Sequence, residues 1–408
     1  MDSRFKIILI ICLISSLSRF VLDIYLPSLP AISQYFLIPD SSTQLTLTMY
    51  LLGFSLSQLI YGPLSDRYGR RYVIISGIAI FLIGNIICSI ATQHLVLLLA
   101  RFIAGVGAGA CGVLNRAIAS DYFQGPELSR AWSYTTTTLV ITLIVAPVLG
   151  GYMQEKFGWR SNFMLATFFI FIVFFIVLKF LPETRYNTTQ HSSFKLQQIF
   201  QNYYHILTAP TFILCTLSYT LAFSGLIAYF QISPLLLINI FGLTPSQYGW
   251  SSLIIAGSYL IGGLLVNTLA NYVSMRCLLI LGAILLISGG AMMLVAYFFQ
   301  YKNLVSILIP SAIYVIGARI IIPNALAGAM QDFRHLGGSS SALIGSIQML
   351  GSAFVSYIIT NFDYANPSFL AYIFIILGMM MLFMISFIKP LERPAIVLET
   401  VANAQREM

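Results

Sequence analysis

The chain has 408 residues, of which 58% are hydrophobic and only 8% are charged. A soluble domain carries roughly 25% charged residues, so most of this chain cannot be in contact with water. The 21 basic and 13 acidic side chains give a net charge of +8. Such a surplus can indicate nucleic-acid binding, but the placement of the basic residues gives it another meaning.

Apolar runs recur along the whole chain and are separated by short polar breaks. A run of about 20 apolar residues spans a bilayer as a helix. The pattern therefore predicts an all-α membrane protein with twelve transmembrane helices, over residues 5–26, 44–63, 72–91, 95–118, 131–152, 161–181, 211–232, 246–268, 277–299, 303–325, 338–360 and 367–388. The longest break lies between the sixth and seventh spans, which predicts the following organisation: an N-terminal six-helix bundle over 1–182, a cytoplasmic linker over 183–209, a C-terminal six-helix bundle over 210–390 and a cytoplasmic tail over 391–408.

The basic residues fix an expected orientation. If the amino terminus is inside, fifteen lysines and arginines lie in or beside inside segments and three lie outside. Basic residues favour the cytoplasmic side, so both termini are predicted to be cytoplasmic. Arg116 is counted among the fifteen, whereas Arg19, Arg101 and Arg319 lie within spans. The surplus is thus interpreted as a topology signal, and no nucleic-acid partner is expected.

A weak internal repeat relates the two halves of the chain. At an offset of about half the chain the matching pairs are Leu64 with Leu269, Asp66 with Asn271, Arg71 with Arg276 and Pro30 with Pro234. Two pseudo-symmetric six-helix bundles related by an axis along the membrane normal would give this pattern.

Among the thirteen acidic residues, only Asp23 lies inside a predicted span. A carboxylate at the bilayer centre costs at least about 2.5–3.5 kcal/mol, so such residues usually have a function. We interpret Asp23 as the proton-binding group of a secondary transporter. Its candidate cationic partners are Arg19, one helical turn earlier on the same face, and Arg101 across the bundle. The alternative is a purely structural Arg19–Asp23 pair near the membrane interface, since Asp23 lies close to the end of the span.

Three motifs accompany this acid. The break between the second and third spans contains Gly62-Pro-Leu-Ser-Asp66-Arg67-Tyr-Gly69-Arg70-Arg71. In the fourth span Arg101 precedes Gly105 and Gly109, whose spacing gives a smooth face for helix contact. The fifth span contains Ala146-Pro147-Val-Leu-Gly150-Gly151, in which the proline and glycines kink and thin the helix. The alternatives are a basic loop that only sets orientation, a buried structural arginine and an ordinary proline kink.

The loop spacing G-x-L-x-D-R-x-G-R-R strongly resembles the signature of the major facilitator superfamily, and the R-x-x-x-G of the fourth span resembles that family's fourth-helix motif. The fifth span resembles the family's antiporter signature, with Thr142 and Ala146 in place of its first two glycines, a departure that weakens the antiport interpretation. The resemblance implies that Asp66 and Arg67 belong to a charge relay that holds the outward-facing state, and that Arg101 takes part in proton coupling. The conformational switch it predicts comprises Gly62, Asp66, Arg67, Gly69, Arg70, Arg71, Pro147, Gly150 and Gly151.

The string Asp23-x-Tyr25-Leu-Pro27-x-Leu-Pro30 resembles the Bcr/CflA drug-exporter subfamily. This resemblance implies proton-driven efflux of small drug-like or metabolite molecules from a bacterium, across the inner membrane. Siderophore and amino-acid exporters share the same signatures, so the substrate remains open.

Polar residues within the spans are candidates for the wall of a substrate cavity. They are Tyr25, Tyr50, Gln58, Asn115, Tyr134, Thr138, Tyr229, Gln231, Arg319, Asn324 and Gln348. A lone tyrosine or glutamine in a span is as often a helix–helix hydrogen bond as a ligand contact.

The first hypothesis is a proton-coupled efflux antiporter that works as a monomer, with the proton as coupling ion and no cofactor or metal. The second is an uptake symporter or facilitator of the same fold, and the third is a membrane sensor that does not transport. The intact Asp66–Arg67 loop argues against a sensor. An enzyme is not expected, because the sequence contains no Ser/His/Asp set, metal cluster or phosphate loop.

Overall fold

The computed structural model describes residues 3–184, 196–270, 272–301, 303–333, 336–362 and 366–387. The tail over 391–408 and residues 185–195 of the linker fall outside these residues. The described part is helical, with fourteen α-helices: α1 Ser3–Ile24, α2 Leu29–Phe36, α3 Asp40–Tyr68, α4 Arg70–Ile90, α5 His94–Tyr122, α6 Gly125–Phe157, α7 Trp159–Phe180, α8 Leu196–Leu207, α9 Pro210–Pro234, α10 Pro245–Leu269, α11 Met275–Phe298, α12 Val305–Met330, α13 Gly337–Ile359 and α14 Pro367–Ser386.

Twelve helical segments among the described residues are long and apolar enough to cross a membrane, as the sequence predicts. Two of them are bent. A short 3₁₀ turn, Leu26–Ser28, joins α1 to α2, and a π-helical turn, Leu235–Ile240, continues α9. Prolines lie at both bends, because a proline ring cannot sit in an undistorted α-helix interior. The first span therefore ends at Phe36, not near residue 26 as predicted, and Asp23 lies well inside it.

The helical bundle has two end faces, and we name each by the chain segments that lie there. The proximal face carries the start of α1 and the turn between α3 and α4 at Gly69. The distal face carries residues 37–39, between α2 and α3. Contacts follow this division: Arg4 at the start of α1 pairs with Glu127 at the start of α6 on the proximal face. On the distal face Asn239 donates a hydrogen bond to Asp40, at 3.1 Å.

The helices pack in two groups. In the first, α3 and α4 pack against α5, and α1 packs against α6; in the second, α12 and α14 pack against α11, and α9 packs against α12 and α13. The groups meet mainly where α3 crosses α13 and where α6 crosses α10. These are the second and fifth spans of one group against the fifth and second of the other, as a twofold relation requires.

Glycines bring α3 and α5 together. A Cβ on Gly105 would overlap the carbonyl oxygen of Tyr50, and one on Gly53 would overlap that of Phe102. In lipid, helices associate by packing rather than by burial from water, so small residues at crossings matter most. The close approach holds Arg101, one turn before Gly105, against the middle of α3.

Candidate functional site

A cavity of about 340 Å³ lies between the two groups of helices. Its wall is formed by α1, α3, α5 and α6 from one group and α9, α10, α12 and α13 from the other. On α5 the lining residues are Gly112, Asn115 and Arg116, in the proximal half of that helix. The cavity therefore occupies the middle of the bundle and extends toward the proximal face.

The Arg19–Asp23 pair lies beside this cavity. The Arg19 Nε donates to Asp23 Oδ2 at 2.6 Å, and the Asp23 side chain is fully buried. The second carboxylate oxygen, Oδ1, is buried without a hydrogen-bond partner in the described part of the chain. Arg19 lines the cavity, and its guanidinium lies 4.8 Å from the ring centroid of Phe230 in α9. An ion pair in the first group of helices thus contacts the second.

Arg101 is fully buried behind this pair. Its guanidinium carbon lies 4.2 Å from the ring centroid of Tyr25 and 4.4 Å from that of Tyr50. Tyr50 in turn donates a hydrogen bond to the carbonyl oxygen of Ser18 at 3.1 Å. No ion pair between Arg101 and Asp23 is found among the described residues. In this structure Arg101 thus contacts aromatic rings at and beside α1.

The proximal part of the cavity contains a polar group that the sequence interpretation only partly identified. Gln58 is 1% exposed, and both atoms of its amide lack a hydrogen-bond partner within the described residues. Asn115 donates to the Ser15 hydroxyl at 2.8 Å. Arg116, which is counted from the sequence with the basic residues in or beside inside segments, lines the cavity. Its position in the last third of α5 looks like a helix end in the sequence, but α5 continues to Tyr122.

Four of the predicted cavity residues line the cavity: Tyr50, Gln58, Asn115 and Gln348. Seven do not line it: Tyr25, Tyr134, Thr138, Tyr229, Gln231, Arg319 and Asn324. The reason is helix rotation. On α6 the lining residues Trp132, Thr135, Thr136 and Leu139 follow the helical period, which turns Tyr134 to the outer surface, where it is 54% exposed.

The remaining six have other neighbours. Tyr25 lies under the Arg101 guanidinium, and Arg319 lies over the ring of Tyr259 at 4.8 Å. Asn324 and Thr138 bond to carbonyl oxygens of their own helices. Tyr229 is buried and packs against the ring of Phe230.

Gln231 belongs to a group of hydrogen-bonded polar side chains between the two groups of helices, on the distal side of the cavity. Its Nε2 donates to the Ser356 carbonyl at 3.0 Å and approaches Gln44 Oε1 at 3.4 Å. The hydroxyls of Thr48 and Ser356 are 2.7 Å apart. These buried contacts join α3 of the first group to α9 and α13 of the second, beyond the distal end of the cavity.

Glycines of the fifth span complete the distal closure. A Cβ on Gly150 would overlap the carbonyl oxygen of Ile24, and one on Gly151 would overlap that of Pro245 at the start of α10. From the other side, a Cβ on Gly249 would lie 2.6 Å from the carbonyl oxygen of Pro147. The residues of this motif thus allow backbone-to-backbone contact between α6 and both α1 and α10.

Replacing Gly151 with alanine is expected to open the distal contact between α6 and α10. Overpacking of this kind costs about 1–3 kcal/mol, which corresponds to about a 5- to 150-fold change in the ratio of closed to open molecules. Spin labels at Phe157 and Ile240, both exposed on the distal face, measure the change by electron–electron double resonance. Gly257→Ala on α10 is the matched control, because a Cβ there meets nothing within 4 Å. An unchanged distance distribution in Gly151→Ala contradicts this account of the closure.

The predicted switch loop forms an ion-pair cluster on the proximal face. Asp66 pairs with Arg70 at 2.7 Å, and Arg70 also contacts Asp121 at 3.0 Å. The backbone amides of Arg70 and Arg71 donate to the Glu183 carboxylate at 2.9 and 3.2 Å. The ion pair of Asp66 is therefore with Arg70, while the Arg67 guanidinium lies 5.0 Å from the ring of Tyr68.

Two further residues fix this loop. Gly69 has φ +92°, and a Cβ there would overlap the Glu183 carboxylate, so only glycine fits the turn. In α8 the Tyr203 hydroxyl donates to the Leu59 carbonyl at 3.2 Å, which ties the linker helix to α3. Burial raises the pKa of Tyr203 to about 12, so the hydroxyl stays protonated and keeps donating.

Twelve spanning helices in two groups, with a partly charged cavity between them and a sealed distal side, define a membrane transport protein. Comparison with known proteins identifies the family of transport proteins. Residues 10–356 match the family model of the Major Facilitator Superfamily. The chain belongs to that superfamily, whose members transport molecules rather than catalyse reactions, and is a multi-pass protein of a bacterial inner membrane.

Individual relatives and solved structures are consistent with this family assignment. The chain is 25% identical to multidrug resistance protein D of Escherichia coli (strain K12), over 85% of this chain and 86% of that protein. It is 25% identical to a bicyclomycin resistance protein homolog of Haemophilus influenzae, over 90% and 92% of the two chains. The crystal structure of a D-xylose-proton symporter superposes with a TM-score of 0.78 at 16% identity, over 95% of this chain and 99% of the other. The last likeness concerns the fold alone.

Proposed function

We propose that this protein is a proton-coupled secondary transporter that exports small drug-like or metabolite molecules by alternating access. The observation that carries the proposal is the Arg19–Asp23 pair: a fully buried carboxylate beside the cavity, with one oxygen unpartnered among the described residues. Ionisable groups at this depth are costly and mark ion and proton pathways.

Proton binding would act on the contact between the two groups of helices. A proton on Asp23 removes the negative charge that Arg19 faces, and the pair weakens. Arg19 also contacts Phe230 of the second group. The strength of that contact then depends on the charge of Asp23, which couples the proton to the relative position of the groups.

The bundles over 1–182 and 210–390 are the rigid bodies of this proposal. The α6–α10 contact with Pro147, Gly150 and Gly151 closes the distal side, and the loop of Asp66 and Arg70 closes the proximal side in the opposite state. The excess of basic residues beside proximal segments supports a cytoplasmic proximal face and cytoplasmic termini. The protein acts as a monomer and uses the proton as its coupling ion, without a cofactor or metal.

Export is favoured over uptake by the relatives, two of which are named for resistance to drugs. An uptake symporter is the second candidate, because a D-xylose-proton symporter has the same fold and the antiporter signature is incomplete at Thr142 and Ala146. A sensor that does not transport is the third, and the proximal ion-pair cluster argues against it, since a sensor has no need for a switching contact.

Proteoliposomes containing the full chain and a pH-sensitive dye test the proposal. A small panel of drug-like molecules is added with a pH gradient, without one, and with a protonophore. The expected result is substrate movement against its own gradient, opposite to proton flow and abolished by the protonophore. Movement in the direction of proton flow identifies the symporter instead, and no movement of any compound supports the sensor.

A further inference from the structure

The charges that line the cavity are unbalanced. Of the charged side chains in the described ranges, Arg19 and Arg116 line it, and no lysine, aspartate or glutamate there does. Asp23 offsets Arg19. Arg116 has no carboxylate within ion-pair distance in the described part of the chain. The proximal end of the cavity is therefore positive, and a low-dielectric wall strengthens its attraction for an anion.

The surroundings of Arg116 leave hydrogen-bonding capacity unused. The only hydrogen bond found for its guanidinium within the described residues is a long one, from Nη2 to the Gly112 carbonyl at 3.3 Å. A Cβ on Gly345 would overlap Gln58 Oε1 and would lie 3.2 Å from Arg116 Nη2, so amide and guanidinium meet beside this glycine. Among the residues that the structure describes, the buried Gln58 amide lacks a hydrogen-bond partner, as does the side-chain oxygen Oδ1 of Asn115. An unsatisfied buried donor is costly, and a ligand oxygen that accepts a hydrogen bond from Gln58 Nε2 removes that cost.

Most of the remaining wall is apolar, although serine, threonine, tyrosine and glutamine side chains and Arg19 also line it. Phe54, Trp132, Phe223 and Leu326 line the cavity beyond these polar groups. A molecule that fills the site needs a hydrophobic body and one anionic group. A guanidinium presents paired N–H donors in a plane, which matches a carboxylate. An ammonium group on the ligand would meet Arg116 with the same sign of charge and be excluded.

We propose that Arg116, with Gln58 beside it, is a carboxylate-binding site and that the transported molecule is an amphipathic organic carboxylate. The proposal deepens the transport function above and rests on it. Asn115 is bonded to Ser15, which lies eight residues before Asp23 on α1, about 12 Å along the helix. The carboxylate and the proton therefore bind at separate places. A negative potential on the cytoplasmic side also favours outward movement of an anion.

Equilibrium binding to the purified full-length protein in detergent tests this, by isothermal titration calorimetry with three matched probes. They are 4-biphenylacetate, its amide and 2-(4-biphenylyl)ethylamine, which share an aromatic body and differ in charge. The acid is expected to bind at least about 10-fold more tightly than the amide or the amine. Arg116→Gln should weaken binding of the acid by about 10- to 100-fold and leave the amide unchanged.

Two further variants serve as controls for the binding experiment. Arg130→Gln removes an exposed arginine from the start of α6 and should change nothing. Arg116→Lys retains the charge and should retain much of the preference for the acid, which separates lost recognition from a folding defect. Equal affinity for the three probes, tighter binding of the amine, failure of the acid to bind, or a preference that survives Arg116→Gln each overturns the proposal.

The two experiments can overturn the carboxylate site and the transport function separately. Arg116-dependent binding of the acid without proton-driven movement of any compound leaves the carboxylate site intact and removes the transport function. Proton-driven movement of cations that is unchanged by Arg116→Gln supports the transport function and removes the carboxylate site.

Discussion

Asp23→Asn is expected to abolish accumulation driven by a pH gradient while leaving substrate binding intact. Asparagine has nearly the same shape as aspartate and can still accept the hydrogen bond from Arg19 Nε, which is 2.6 Å long in the native pair. It cannot ionise, so the position is fixed in a form that resembles the protonated carboxylate. Substrate exchange without net proton movement should continue, because it needs no change of charge at this position.

Flux into proteoliposomes measures both quantities, with a pH gradient for accumulation and with substrate on both sides for exchange. Glu127→Gln is the control. Its carboxylate pairs with Arg4 at the exposed proximal surface, where an ion pair contributes little. Asp23→Glu retains a carboxylate and should retain some coupled transport. Full gradient-driven accumulation by Asp23→Asn would remove this residue from the mechanism.

Arg101→Met should give a folded protein without transport. Arg101 is a fully buried cation held between the rings of Tyr25 and Tyr50, with its Nη atoms unpartnered within the described residues. A desolvated cation–π contact contributes about 2 kcal/mol, but burying the charge carries a cost of its own. A methionine of similar length fills much of the space, so the net loss of stability is expected to be small.

The expected loss of transport has a positional cause. Tyr25 follows Asp23 by two residues and precedes the 3₁₀ turn, so a shift of its ring moves the end of α1 that carries the proton site. Arg160→Met is the matched control, since Arg160 also lies over two rings, Tyr35 and Trp159, but at the distal rim. Melting temperature and flux are measured on both variants. Normal flux in Arg101→Met would make this arginine structural, and a collapsed melting temperature would show that the charge stabilises the fold.

The sequence alone predicts those features whose free energy depends on a short stretch of the chain. An apolar run long enough to cross a bilayer must be a helix, because unpaired backbone groups cannot be left in hydrocarbon, so all twelve spans could be predicted. Asp23 was identifiable for the same reason: the cost of a carboxylate in a span depends on the span itself. The first span was nevertheless ended too early, because Pro27 and Pro30 were interpreted as a helix end and they mark a bend.

Positions that depend on neighbouring helices were not predictable. The sequence gives no direct view of how far α6 is rotated, so Tyr134 was placed in the cavity although it faces outward, while Trp132 and Thr135 were missed. A check of helical period against the apolar outer face would have found this error. Arg116, near the end of the predicted span 95–118, is counted with the basic residues in or beside inside segments, because helix ends are the least certain part of a span.

The amino-acid order alone determined the membrane class, the number of spans, the buried acid with its arginine one turn away, and the family motifs, because each follows from the character of a short stretch in lipid. Tertiary structure alone decided that Arg101 contacts aromatic rings rather than Asp23, that Gly151 meets α10, and that Arg116 and Gln58 meet beside Gly345. Those three contacts join residues distant in the chain, and their existence depends on how whole helices rotate and cross when they pack.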